Sequence, residues 1–317
     1  MAKLENRFSW SFSAAGDFED CRRKRYWSKY AAWGGWDREA PEESRTAYRL
    51  NKMDNIYSLQ GQAAEETVMW VLREAQAGQP VDAAQAYERI ARPFLRQKWT
   101  ESRQGLWKVN AKKHCCLREH YYGLWDKETE RARAEAMAEH TKKCIANFID
   151  RMLPRLRVIL PGNEVLIAGP GMGGDPESFE LEGIKIYAIP DYVHRDGEIM
   201  HIHDWKAGKV KAAHQEQLAL YGLWASCKHE TAVENICCYV EYLATGQMAP
   251  VVITQEILDQ ILGRISESVA DMRGYLVDED LAANRALPKA EWELTADPRI
   301  CRMCNFYELC RPELGEV

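Results

Sequence analysis

The segment IHDWKAG carries Asp204 and Lys206 two residues apart, and on a β-strand residues two apart share a face. A carboxylate beside an ammonium suits phosphodiester hydrolysis. The carboxylate holds a divalent cation, while the lysine orients or helps deprotonate the attacking water and offsets developing charge. Alone, Asp-x-Lys is a frequent pairing that reads first as a surface ion pair. Asp191, in the apolar segment YAIPDYV, precedes Asp204 by thirteen residues. That spacing fits two neighbouring strands joined by the turn HRDGE, which would bring two carboxylates and a lysine to one end of a sheet. Following Pro190, Asp191 is open to a plainer reading as a turn residue.

A second group of reactive side chains lies among the ten cysteines. CRMCNFYELC spaces Cys301, Cys304 and Cys310 as C-x2-C-x5-C, and Cys21 stands alone near the start. Four thiolates can hold a [4Fe–4S] cluster or a zinc ion. The opening MAKLENRFSW lacks the basic-then-apolar pattern of a secretory leader, which argues for reduced thiols and a metal rather than a disulfide framework. Cys115, Cys116, Cys144, Cys227, Cys237 and Cys238 show no partner pattern and are expected mostly to pack as small hydrophobes.

The elements that must position these residues follow from composition and periodicity. The 317-residue chain is 46% hydrophobic, with 11 Trp, 14 Tyr and 7 Phe, enough to build a large core and to exclude a disordered protein. No apolar run approaches the roughly 20 residues of a membrane span, so the sequence reads as a soluble, cytoplasmic protein. Ser13 is expected to cap a helix over 14–30, and a second helix is expected over 57–76. Several helices should fill 82–157, closed by Pro154. VLIAG, ELEGIKIYAIPDYV and EIMHIHDWKAG then read as three strands. AAHQEQLALYGLWASC reads as a helix and ENICCYVEYLATGQMAPVVIT as a hairpin. Ile257, Ile261, Ile265 and Val269 mark a last long helix. The order predicts a mixed α/β core with a helical insertion ahead of its strands.

Taken together, these residues resemble the PD-(D/E)XK nucleases, in particular the RecB-like branch that carries an iron–sulfur cluster. That branch includes the nuclease domains of recombination helicase–nucleases, CRISPR-adaptation exonucleases and a eukaryotic single-strand exonuclease. The family's helix with G-x-x-x-[H/E] matches Gly61 and Glu65 in GQAAE; its metal-binding Asp matches Asp191. The (D/E)-x-K strand matches Asp204 and Lys206, and the Q-x-x-x-Y helix matches Gln217 and Tyr221 in QLALY. The match runs nearly end to end and departs where Glu65 stands in place of the His of many members.

The resemblance implies a restriction-endonuclease-like α/β fold, a mixed sheet core flanked by helices, forming a single domain over 1–317 with 82–157 inserted in it. It implies Mg²⁺ or Mn²⁺ held by Glu65, Asp191, Asp204 and the carbonyl of Trp205, with Gln217 and Tyr221 positioning Lys206 or DNA. It further implies a [4Fe–4S] cluster on Cys21 and the 301–310 segment, fastening the two ends of the fold. The expected activity is that of an exonuclease on single-stranded DNA ends, leaving 5′-phosphate and 3′-hydroxyl groups. The settings it suggests are DNA repair, recombination, or phage- or CRISPR-linked DNA processing. The alternative is a catalytically silent DNA-binding or scaffolding subunit of a helicase–nuclease complex.

The net charge of −6 hides a local excess: residues 96–157 hold 15 Lys+Arg against 8 Asp+Glu. With Trp99, Trp107, Tyr121, Tyr122 and Trp125 interspersed, this stretch reads either as a DNA-contact surface or as a solvated face over a local core. Arg22, Arg23, Lys24 and Arg25 are further candidates for the DNA backbone. GPGMGG at 169–174 formally matches G-x-G-x-x-G, but DPESFELEG follows it, so a hairpin loop is expected rather than a dinucleotide site. AGK at 207–209 lacks the upstream glycine of a phosphate loop, so any unwinding would need a partner such as a helicase.

Overall fold

The computed structural model describes residues 4–159, 164–169 and 175–314; positions 170–174, the bulk of GPGMGG, lie outside these. A short strand β1 (Ser9–Ser11) leads into helix α1 (Phe12–Asp20). The cap is Ser11, whose Oγ accepts from the Ala14 N–H at 3.2 Å, two residues before the expected Ser13. The expected helix over 14–30 is broken at Cys21, which is extended (φ −165°, ψ 117°) before helical turns resume over Arg22–Arg25 and Tyr26–Ala31. The break is fixed from outside: the Arg23 N–H donates to the Glu293 carbonyl at 3.0 Å.

Helix α2 (Ile56–Gln76) starts at a capping box of Asn55 and Ser58, which satisfies backbone donors that the first turn leaves free. The following helices include α3 (Arg92–Gln104), α4 (Lys127–Asn147) and α5 (Leu153–Ile159). Pro154, expected to end this section, instead lies within a helical run that continues from α4 through the wider π turn Phe148–Met152 into α5, and that turn accommodates the missing N–H.

Strands β2 (Glu164–Ala168), β5 (Tyr192–Asp196), β6 (Ile199–Lys206), β7 (Ile236–Tyr242) and β8 (Gln247–Val251) form the main sheet in the order β2-β5-β6-β7-β8. All neighbours are antiparallel except β6 and β7, which are parallel and connected through helix α6 (Ala213–His229). HRDGE, expected as the turn between β5 and β6, is strand as far as Asp196, and only Gly197 and Glu198 make the turn into β6. ELEGIKIYAIPDYV departs from a single strand. Strand β3 (Ser178–Leu181) turns at Glu182 and Gly183, both at positive φ (50° and 78°), into β4 (Ile184–Tyr187), the geometry of a tight two-residue hairpin. The chain then bends at Asp191 before β5. β4 pairs in parallel with β1 to complete a second sheet, β1-β4-β3.

Alternation along β6 sends Met200 and Ile202 to one face, where they join Val193, Val240, Leu218 and Leu223 in the larger core. Helix α6 and helix α7 (Gln255–Arg273) cover that face, and Trp10 of β1 is tied to α7 by a 3.1 Å hydrogen bond to Ser268 Oγ. On the other face Tyr192 and Trp205 pack with Val68, Leu72, Ile145 and Phe148 of the helical section. The chain ends in α8 (Pro298–Met303) and α9 (Tyr307–Leu314). No helix among the described residues is long and apolar enough to cross a membrane.

Candidate active site

The C-terminal end of β6 carries Asp204 and Lys206 on the face covered by α6. Lys206 Nζ lies 2.6 Å from Asp204 Oδ2 and donates to Gln217 Oε1 at 3.0 Å. Gln217 Nε2 donates to the Tyr221 hydroxyl at 2.7 Å, which donates in turn to the Ile189 carbonyl at 2.8 Å and stands 3.5 Å from Asp204 Oδ1. One turn of α6 separates Gln217 from Tyr221, so a single helix face grips both the lysine and the loop leading to Asp191. Asp191 is held from the neighbouring strand, its Oδ2 accepting the Trp205 N–H at 2.6 Å. The Trp205 contact visible here is thus through its N–H.

Glu65 projects from α2 into the same field. Its carboxyl is raised above the ordinary range by burial first, then by the charges of Asp204 and Glu66, against the pull of Lys206. Asp191 is held well above the usual carboxylate range by desolvation, then by Asp204 and Glu65. Burial raises Asp204 as well, with Lys206 pulling it back. Three carboxylates that disfavour one another's ionisation are a donor set for a hard divalent cation, which would remove the repulsion. Asp204 is buried, and the one cation close to its Oδ2 is the Lys206 ammonium. The side chains are gathered rather than closed: no group of three His, Cys, Asp or Glu among the described residues forms a ready-made metal site.

Two residues around Lys206 carried no signal in the sequence. His214, one turn before Gln217, contacts the Tyr242 hydroxyl at 3.3 Å; burial, then Lys206, lowers its imidazole to about 4, so it is neutral beside the ammonium. His140 of α4 meets the Ala207 carbonyl at 2.8 Å through Nε2, tying the helical section to the residue after Lys206. His203, adjacent to Asp204, points to the opposite face, where Nδ1 pairs with Glu241 at 2.8 Å.

Cys21, Cys301, Cys304 and Cys310 line one small cavity together with Lys24, Trp27 and Tyr307. The Trp27 indole N–H points at Cys310 Sγ (3.2 Å) and the Phe306 N–H at Cys304 Sγ (3.4 Å), contacts that stabilise sulfur bearing negative charge. Burial raises all three C-terminal thiols, Cys304 to about 12. Among the other cysteines, Cys115, Cys116, Cys144 and Cys238 are buried and Cys237 is half-buried, whereas Cys227 is exposed.

Two of the four cations of the basic run are withdrawn into the fold, and Arg22 and Lys24 are half-buried and engaged. Arg23 is buried against Glu313 at 2.8 Å, Lys24 pairs with Asp17, Arg25 is buried, and Arg22 lies 3.9 Å over the Phe18 ring. The aromatics of 96–157 largely serve packing. Trp99 stacks on Trp125 at 6.1 Å, and Trp107, Tyr121 and Tyr122 pack against the core around Trp27 and Phe306.

A search of curated proteins gives no match to the chain. The profile of the PD-(D/E)XK nuclease superfamily, whose members are usually nucleases that hydrolyse with Mg²⁺ or Mn²⁺, matches residues 9–311. The chain belongs to the PD-(D/E)XK nuclease superfamily.

Proposed function

We propose that the protein is a metal-dependent deoxyribonuclease acting as an exonuclease on single-stranded DNA ends. The observation that supports this best is the unbroken series of contacts from Asp191 through Trp205 and Asp204 to Lys206, Gln217 and Tyr221. Glu65, Asp191, Asp204 and the Trp205 carbonyl are the proposed ligands of Mg²⁺ or Mn²⁺, which when bound supplies charge stabilisation at the phosphate and acidifies water. Gln217 holds the Lys206 ammonium in place, and Lys206 orients the attacking water and offsets charge on the phosphate. Tyr221 fixes the Ile189 carbonyl and so the loop that presents Asp191. Cleavage would leave 5′-phosphate and 3′-hydroxyl ends. Duplex substrates would require a separate helicase.

The four-cysteine cavity is proposed to hold a [4Fe–4S] cluster, supported by two N–H groups directed at its sulfurs. Anaerobically purified protein should carry iron and absorb in the visible. It should degrade end-labelled single-stranded DNA with Mn²⁺ or Mg²⁺, and Lys206→Ala should abolish cleavage while retaining DNA binding. A folded wild-type protein that binds DNA without cutting would overturn the nuclease reading in favour of a scaffolding subunit. A colourless protein containing zinc would overturn the cluster alone.

A further inference from the structure

A groove of about 1570 Å³ runs between β1, the β3–β4 hairpin and α7. Strand register sets Ser9 beside Lys185, and Lys185 beside Glu180, so these side chains form one row on a single face of the small sheet. Lys29 reaches that row from the turn Tyr26–Ala31, donating to Ser9 Oγ at 3.1 Å. Lys185 lies across from Glu180 without closing an ion pair on it, and holds its ammonium 5.0 Å over the Tyr187 ring.

Beneath Lys29 lies Arg25, only 3% exposed, with no hydrogen-bond partner for Nε and a long 3.4 Å contact from Nη2 to the Ser9 carbonyl. Burial, then Arg25, lowers the Lys29 ammonium to about 8. Arg25 has Asp17 and Tyr30 to offset its charge, whereas Lys29, partly desolvated and one turn away, has no carboxylate closing on it and is costly to keep charged unless an anion meets it.

The groove also presents flat aromatic faces. Trp33 is 39% exposed, is braced edge-on by Trp36 at 5.1 Å, and lines the groove together with Tyr187. Tyr187 is four residues from Asp191 along the chain, a reach of at most about 14 Å. β4 therefore leads from this row directly to the catalytic carboxylates.

We propose that this groove is a single-strand DNA subsite in which Lys29, Lys185 and the Ser9 hydroxyl hold a phosphate while Trp33 stacks on a base. The strand then runs along β4 to Asp191 and Asp204. The choice of DNA as ligand rests on the nuclease reading above. The groove's cations and exposed rings, set among Glu5, Asp175, Glu180 and Glu182, suit unpaired strands, because each base offers a face to stack and each phosphate a charge.

The test is anisotropy of a fluorescein-labelled 20-residue oligothymidylate in EDTA, where no cleavage occurs, over a series of salt concentrations. Replacing both lysines (K29Q with K185Q) should flatten the slope of log K against log [salt] by about 0.7, the value for the one phosphate they hold together. Trp33→Ala should weaken binding about fivefold or more without changing that slope. Lys29→Arg with Lys185→Arg should restore the slope, which separates lost charge from a damaged fold. An unchanged slope and affinity in the glutamine pair would overturn the proposal, as would equal loss in glutamine and arginine pairs. Cleavage by wild type and its loss in Lys206→Ala are scored separately, so the nuclease reading can fail while the subsite stands, or the reverse.

Discussion

Asp191 is the side chain on which most of the site's electrostatics converge. Unfolded, carboxyls titrate near about 4, whereas Asp191, Asp204 and Glu65 hold their protons to higher pH in the fold. The folded state therefore binds more protons, and the stability these groups contribute falls as pH rises from about 4 through the raised values. In EDTA, the melting temperature should fall between pH 5 and pH 8 more steeply for wild type than for Asp191→Asn. Added Mn²⁺ should raise it at pH 8 in wild type and much less in the variant. Calorimetry over that pH range checks both. At this scale the sequence was most legible where neighbours share an element. Asp204 with Lys206 needs only a strand, and Gln217 with Tyr221 only one helical turn. The hydrogen bond from Trp205 to Asp191, and the approach of His140 and His214, depend on strand pairing and helix docking that no local spacing encodes.

Helices α2 and α6 position the site with opposite uses of glycine. Gly61 lies one turn before Glu65, and a Cβ there would meet nothing within 4 Å. Gly61→Ala should therefore stabilise the helix by about 0.4–1 kcal/mol through the unfolded chain. If the bare helix face is kept for the DNA backbone, the same variant will melt higher and cleave more slowly. Gly222, beside Tyr221, is closely packed: a Cβ would stand 3.0 Å from Ile253 Cγ2. Gly222→Val should cost about 1–3 kcal/mol by overpacking, read by thermal or denaturant unfolding. Periodicity located α2, α6, α7 and the strands β6 to β8 because each buries a regular face. It missed the break at Cys21, the hairpin turn at Glu182 and Gly183, and the helix through Pro154. The first is fixed by a contact with Glu293, the second by positive φ at a glutamate, and the third by the turn that precedes the proline.

Across the whole molecule, the ends of the chain are stitched to each other. Trp27 donates to Cys310, and Arg23 bonds both the Trp292 carbonyl (2.7 Å) and Glu313. Removing one of the four cysteines should loosen this junction well away from the carboxylates. Cys304→Ser is expected to melt lower than wild type and to be cut first by trypsin at Arg299 or Arg302, mapped by mass spectrometry. Protection of those sites equal to wild type would refute a fastening role for the cavity. The mutual approach of residues near 20 and near 300 also has a meaning in time. On the ribosome, the proposed catalytic residues up to Tyr221 are complete about ninety residues before Cys310 is added, roughly 5–18 s at ordinary elongation rates. Through that interval Arg23 has no Glu313 and Trp27 no Cys310, so a nascent nuclease holds its cutting residues before it holds the seam that closes its fold.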